Sequence, residues 1–543
     1  MSLVRNGIVK GSELAAPLSD VSVCHYNSNG DLINDVLTDS NGRWKLSDLH
    51  DQDKIVFKQD GYVTKTYTVN EIPEMVRLLQ NRLIGYQEKL WFKPGEKVAV
   101  HIHAPEKFQA VLYRHGLQKK IVLDVGAYPR KQQYIPDDFF VEHGLSWEPN
   151  FTYTIPKDAK PGIYSLLLDS EHQESFAIPF VVSTPEREYG KSKILVLSST
   201  NNWQSYNIWG GRSRYRNYED ITTHEYIKEL NLFYKLATTI AEKMPPALIL
   251  KIKQVLGIKK APPEWKFKRL SIKRPFTNCY LEEKTPFQPF TNHLAAGEWR
   301  VLAWLEREGY DYDIISGFEL HQNPDLLKHY KGLICSTHCE YWSVPMYEGL
   351  KKYHQNNGLW ILNISGNTLY REVDFYEDGS HHCTSLKFHE SAADETQLIG
   401  VRFTESDYGT CAPFKITDRN HWVFKDIPLN EENDKFGYLS LNQNTSKITS
   451  RYDPGRPGVE FGLKGAGASG WETDKLSTTA PKDFHVVAKG LNKWGGSDMV
   501  VREPNGKRGG VFSVSSITFG GSLLIDDVCS KTVKNVLDKV LKI

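Results

Sequence analysis

The stretch Gly332–Ser343, GLICSTHCEYWS, decides how the chain is read. Gly-Leu-Ile-Cys-Ser-Thr is a short uncharged run, the pattern of a strand buried on both faces of a parallel sheet. It ends in His338, Cys339, Glu340, Tyr341 and Trp342, polar and aromatic groups crowded where the strand meets its loop. In open α/β sheets, ligands bind at that carboxyl end. Residues 343–355 then read as a helix capped by Ser343. A buried carboxylate beside an imidazole at the mouth of a sheet requires a partner charge or a metal ion. The plainer alternative is that His338 and Glu340 only cap the helix and bond neighbouring loops. This stretch alone does not choose between the two.

The same grammar extends in both directions. Ile194–Leu197 reads as an apolar strand, 294–308 as an amphipathic helix with Leu294, Val301, Leu302 and Leu305 inward, and Tyr312–Ile315 as a strand. Helix-like 323–330 precedes the 332–337 strand, and Leu359–Ile364 is a further strand. Strand and helix in alternation predict a doubly wound parallel sheet with right-handed crossovers. Phe484–Ala488 and Val511–Val514 read as later strands, and 526–541 as a closing helix. Residues 370–450 read as irregular cover. Residues 221–275 read as a helical insertion with Pro245-Pro246 between its halves. Its basic, apolar second half reads as a packed lid or dimer contact ahead of a membrane-surface segment.

Upstream the pattern changes. Residues 7–80 carry short strands punctuated by turns such as Asn29-Gly30-Asp31 and Ser40-Asn41-Gly42, the rhythm of a β-sandwich. The runs GIVKGSELAAPLSDVSV, TDSNGRWKL and IVFKQDGY resemble the carboxypeptidase regulatory-like (transthyretin-like) sandwich, which implies an accessory module. Residues 85–183 read as a second, immunoglobulin-like sandwich, and 183–193 as a linker. His101 and His103 share one strand face. Two ligands make no closed metal site, so they read as a core or surface pair. The expected architecture is multidomain: all-β sandwiches over 1–82 and 83–185, then a doubly wound α/β domain over 190–543.

At 543 residues the chain exceeds one core and predicts about three domains. With 67 basic against 66 acidic residues, wholesale nucleic-acid binding is not expected. No apolar run reaches the roughly eighteen residues of a membrane span, and the first residues lack a signal-peptide core. Seven scattered cysteines form no pairing framework, which reads as a reducing, cytoplasmic setting.

A second loop leaves a strand's carboxyl end: Thr200 to Tyr215, TNNWQSYNIWGGRSRY, in which Gly210 and Gly211 permit positive φ. SYNIWGGRSRY, the RP of SIKRPF, WLEREGYDYDIISG, GLICSTHCEYWS, ILNISGNTLY, GASGWETDK and GGVFSVSSITFGGSL follow one another in this order. Together they resemble the large-subunit domain of N,N-dimethylformamidase and its relatives over roughly 190–543. The resemblance implies a glutamine amidotransferase-like α/β fold and a single ferric iron held by two tyrosines and one glutamate. Carried over motif by motif, Tyr206 and Glu340 are iron ligands. Tyr215 takes the second tyrosine, with Tyr218 and Tyr341 as alternatives. His338, Asn367 and Glu472 line the pocket. Phenolate and carboxylate are hard oxygen ligands suited to such an ion. Glu472 is then the expected general base, with His338 and Asn367 as donors to a developing oxyanion. The expected partners are a small amide substrate and a small subunit or further copies of the chain.

Two other readings stand beside this one. In the first, Ser365, at the turn of ILNISGNTLY, is a nucleophile with His338 as its base. In the second, a catalytically degenerate amidotransferase-like domain serves binding or assembly.

Overall fold

The computed structural model describes residues 3–218, 262–279, 281, 293–391, 393–428, 434–442, 451–452, 460–461 and 464–542. Most of the segment read as a helical insertion, 221–261 with its Pro245-Pro246 pair, lies outside the described residues. Its end is packed chain: a short 3-10 turn at Glu264–Phe267, then Leu270 and Ile272 buried.

Residues 3–78 form two sheets around Val9, Val23, Trp44, Phe57 and Val76. In the three-stranded sheet Leu3–Gly11 lies between Arg43–Leu49 and Met75–Leu78. The facing sheet runs in the order Leu32–Leu37, Ser22–Tyr26, Lys54–Lys58, Lys65–Thr68. Residues 84–182 build a second pair, of three and five strands, around Val98, Val100, Leu112, Tyr164 and Phe180. His101 and His103 belong to that interior. The ring of His101 stacks on Tyr86 at 4.9 Å and bonds the Trp147 carbonyl at 2.5 Å. His103 Nε2 bonds Asn81 Oδ1 at 3.0 Å. Both are core histidines, each ring held by at least one hydrogen bond.

The remainder is organised on a nine-stranded sheet. Its strands in chain order are β1 (Ile194–Ser198), β2 (Asp313–Ser316), β3 (Gly332–Thr337), β4 (Trp360–Ser365), β5 (Phe414–Ile416), β6 (Lys435–Phe436), β7 (Phe484–Gly490), β8 (Asp498–Arg502) and β9 (Val511–Ser513). They lie in the order β2-β1-β3-β4-β9-β8-β7-β5-β6. The first five are parallel, and from β8 onward the pairing is antiparallel. Every residue of β1 to β4 is buried, which explains the apolar residues that dominate their centres. Alternate residues point to opposite faces. Val196, Ile314, Ile334 and Leu362 pack under helices Ala295–Arg307 and Asp527–Lys542. Leu195, Ile315, Leu333 and Ile361 pack under Met346, Tyr347 and Leu350 of helix Val344–Asn357. Ser343 caps that helix by accepting from Met346 N–H, and Gly358 ends it in the left-handed region at φ 74°.

Three expectations are corrected. Phe484–Gly490 runs antiparallel, not parallel. Residues 370–450 are not merely irregular: Arg371–Phe375 and His381–Ser385 form a hairpin, and β5 and β6 make the far edge of the sheet. Strands of two to five residues carry too little alternation to be seen in sequence. The first half of the 200–215 loop is a helix, α1 (Thr200–Tyr206).

A buried carboxylate fixes α1 to the sheet. Glu298 accepts from Ser198 Oγ at 2.7 Å, Ser199 N–H at 3.1 Å and Trp203 Nε1 at 2.8 Å. Burial pushes its carboxyl from 4.5 up to about 7, with the three donors holding it back. Between those values the folded chain keeps a proton that the unfolded chain has lost. Stability should therefore fall as pH rises through the window 4.5 to 7 and level off above it. The contribution is roughly 3 kcal/mol. Urea titrations across that window should show the fall in the native chain and a flatter profile in Glu298→Gln.

Candidate metal centre

Strand order creates a cleft. The chain leaves β1 for β2 on one side and returns to β3 on the other, so β1 and β3 diverge at a topological switch point. Tyr206 ends the helix after β1, and Glu340 lies three residues beyond β3. Asn202 and Tyr206, one turn apart on α1, share a face. Asn202 Oδ1 accepts from the Glu340 backbone N–H at 3.1 Å, and the Tyr206 hydroxyl donates to Glu340 Oε2 at 3.0 Å. The Tyr215 hydroxyl lies 2.6 Å from that oxygen and 2.8 Å from Oε1. Of the alternative tyrosines, Tyr341 stands behind, donating to the Tyr215 hydroxyl at 3.0 Å. Tyr215, not Tyr218, reaches Glu340.

Glu340 is fully buried. Burial alone would raise its pKa, but Arg371 and His338 outweigh it and hold the carboxyl at about 2. Arg371 Nε donates to Oε1 at 2.7 Å. His338 Nε2 lies 3.4 Å from Glu340 Oε2 and 3.1 Å from Glu472 Oε2. These are ion-pair distances without hydrogen-bond alignment, since His338 Nε2 and Glu472 Oε2 find no hydrogen-bond partner among the described residues. Burial opposes charge on His338, yet Glu472 and Glu340 raise its pKa to about 10. Its Nδ1 faces His293 Nδ1 at 2.9 Å. An imidazolium at His338 donates that bond, and His293 accepts it.

Asn367 and Glu472 enter from two further loops. Asn367 follows β4, and its backbone N–H donates to Asp474 Oδ1 at 2.8 Å. Burial lifts the Asp474 carboxyl to about 7. The chain at Glu472 is tied to the end of β9 by Asp474 N–H to the Ser515 carbonyl at 3.0 Å. Thr337, Asn367, Trp471 and Ser515 all have positive φ, between 53° and 70°. Left-handed backbone is costly for such residues and clusters at functional sites. Gly366 shows how tight the closure is: an added Cβ would lie 2.7 Å from the Glu472 carbonyl oxygen.

The alternative nucleophiles are placed otherwise. Ser365 Oγ accepts from Cys339 N–H at 2.9 Å and from Thr368 Oγ1 at 2.8 Å, and both His338 nitrogens face elsewhere. Cys339 is buried against Ser199, and burial pushes its thiol well above the ordinary range.

The donor set suits a hard ion. Its phenol and carboxylate oxygens are 2.6–3.0 Å apart. Neighbouring ligands around an ion with bonds of about 2.0–2.1 Å sit at such spacings. Burial and the Glu340 charge push the Tyr206 and Tyr215 phenols well above their ordinary value. Their ionisation therefore requires a cation. A second, overlapping group exists: donor atoms of His338, Glu340 and Glu472 lie within 4.8 Å of one another. Arg371, His293, Asn202 and Asp474 were not singled out in the sequence. Asp474 lies within GASGWETDK, Asn202 within the 200–215 loop, and Arg371 directly follows ILNISGNTLY, so position beside a motif was their only signal.

The chain belongs to the family described as N,N-dimethylformamidase beta subunit-like, C-terminal, whose model matches residues 109–533. The match begins inside the second sandwich, which shares an apolar core with the sheet: Leu90, Trp91, Ile163 and Val181 join Ile194 and Val196. The N,N-dimethylformamidase beta subunits of Alcaligenes sp and Paracoccus aminophilus are each 23% identical to it over 449 residues, covering 73% of this chain. They are matched over 54% of their own sequence, so the chain spans about half the length of these curated relatives. Among solved structures, BcpA, the major pilin subunit of Bacillus cereus, covers 37% of this chain and 74% of its own, at 11% identity and a TM-score of 0.14. That likeness carries no argument.

Arg371→Met should leave Glu340 buried with His338 as its remaining cationic partner, lowering stability by about 3 kcal/mol in urea titrations. Glu340→Gln in the same background should restore part of the loss.

Proposed function

We propose that the chain is a metal-dependent hydrolase of amide C–N bonds, with one ferric iron held by Tyr206, Tyr215 and Glu340. The observation that carries this reading is the convergence of two phenol oxygens on the single carboxylate oxygen Glu340 Oε2, at 2.6 and 3.0 Å. The overlapping His338, Glu340 and Glu472 group is read as pairing instead, because His338 must shed a proton held to about pH 10 before it could ligate. When bound, the iron supplies Lewis acidity toward an amide carbonyl and toward water.

The remaining chemistry belongs to the chain. Glu472 Oε2, buried and without a hydrogen-bond partner among the described residues, takes a proton from the attacking water and returns it to the leaving nitrogen. The water oxygen bonds to the carbonyl carbon, the C–N bond breaks, and the amine departs with the proton. His338 Nε2, 3.1 Å from Glu472 Oε2, and the Asn367 carboxamide donate to the oxyanion.

The substrate class, a small amide, and a multisubunit assembly are supported by the names of the relatives. We read the sheet-centred region as the glutamine amidotransferase-like α/β domain of 190–543, and the sandwiches as carboxypeptidase regulatory-like over 1–82 and immunoglobulin-like over 83–185. A cytoplasmic setting is supported by seven cysteines buried as free thiols. No helix among the described residues is long and apolar enough to cross a membrane.

Purified protein should contain about one iron per chain and show a visible phenolate-to-iron band. Glu340→Ala should abolish both, and Tyr206→Phe should weaken the band and the affinity. Iron-free protein with no band on ferric titration defeats the reading. Glu472→Gln should retain the iron and lower amide turnover by about 10²–10⁴-fold; turnover at the native rate removes Glu472 from the acid/base role.

A further inference from the structure

Tyr215 reaches Glu340 from a loop whose base is gripped by both N-terminal sandwiches. Gly210 and Gly211 lie in the left-handed region, at φ 92° and 95°. The Gly210 N–H donates to the Glu13 carbonyl of the first sandwich at 2.9 Å. An added Cβ on Gly211 would lie 2.5 Å from Ala15 Cβ, and one on Gly210 would lie 2.6 Å from Val141 Cγ2 of the second sandwich. Trp209 is buried with its ring centroid 5.4 Å from that of Phe140, and Arg212 pairs with Glu142 at 2.8 Å.

Past the glycines the chain closes on itself. Tyr218 N–H donates to the Gly211 carbonyl at 2.8 Å, and Ser213 N–H to the Arg216 carbonyl at 2.9 Å. Tyr215 sits at the tip of this closed turn. The first sandwich's side of the grip is itself held firmly. Ser12 N–H bonds the Leu78 carbonyl at 3.0 Å, Gly11 N–H the Ala16 carbonyl at 2.9 Å, and Arg82 pairs with Glu13 at 2.9 Å. Ala15 stands at φ 53°, a conformation a non-glycine residue keeps only where its surroundings impose it.

We propose that the Ser12–Ala15 turn of the first sandwich is a positioning element for Tyr215, setting the base of the turn whose tip carries the phenol. The N-terminal module is then part of the architecture that holds the metal ligands. This last step rests on the metal reading above; the mechanical step does not.

The test uses the full chain and three variants. Ala15→Leu and Gly211→Ala overfill the contact from either side, and Leu46→Ala destabilises the core of the first sandwich away from it. Amide hydrogen exchange over 207–218 should rise by about tenfold or more in the first two and stay near native in Leu46→Ala. On ferric titration, the phenolate band per bound iron should fall by about half in the first two, one of two phenolates having left. Exchange over 207–218 no faster in Ala15→Leu and Gly211→Ala than in Leu46→Ala overturns the proposal. A native chain that takes up no iron removes the metal reading, while the exchange comparison still decides the grip.

Discussion

A carboxylate with no solvent exposure is the constraint from which the site follows. An isolated buried anion is expensive, so Glu340 is stable only because cations and donors surround it. Arg371 takes one oxygen, while His338 and two tyrosine hydroxyls crowd the other. This arrangement also keeps the phenols protonated, since a second negative charge within 3 Å of Oε2 needs a further cation. The cluster is therefore balanced in one of two ways: neutral phenols around one anion, or ionised phenols around a metal.

The cleft that holds the cluster comes from topology. Divergence of β1 and β3 leaves an opening that side chains from both loops can enter. The opening is kept narrow by hydrogen bonds that join residues 366–371 to 337–340: Gly366 N–H to Thr337 O, Leu369 N–H to Cys339 O, and Tyr370 and Arg371 N–H to Glu340 O. Backbone strain at Thr337, Asn367, Trp471 and Ser515 is the counterpart of that closure, at about 1–3 kcal/mol each. It is sustained by the buried sheet beneath.

The units of the chain are joined by charges placed inside their interfaces. Lys65 and Asp137 link the two sandwiches at 2.6 Å. Arg114 and Glu306 link the second sandwich to the helix over the sheet at 2.5 Å, with Tyr312 donating to Glu306 at 3.1 Å. Lys93 and Glu319 make a further link. Losing one partner of such a buried pair costs more than the pair contributes. A family match that begins inside the second sandwich agrees with sandwich and sheet sharing one core.

Much of this was legible in the residues. Uncharged, largely apolar runs at 194–197, 332–337 and 359–364 marked strands buried on both faces, because a parallel sheet covered by helices leaves no polar side. The crowding of His338 and Glu340 behind such a run marked the mouth of the sheet. Tyr206 and Tyr215 were legible only through a family resemblance, since tyrosines in a loop carry no signal of where their hydroxyls point. Arg371, His293 and Asp474 were not legible as neighbours of Glu340, and neither was the antiparallel edge built from residues 414–436. Local sequence determines which segments are strands, because hydrophobic periodicity is a property of neighbouring residues. Tertiary structure alone decided that a carboxylate and its neighbouring imidazole meet two phenols and a guanidinium from other segments, because only strand order and loop closure set distances between residues far apart in the chain.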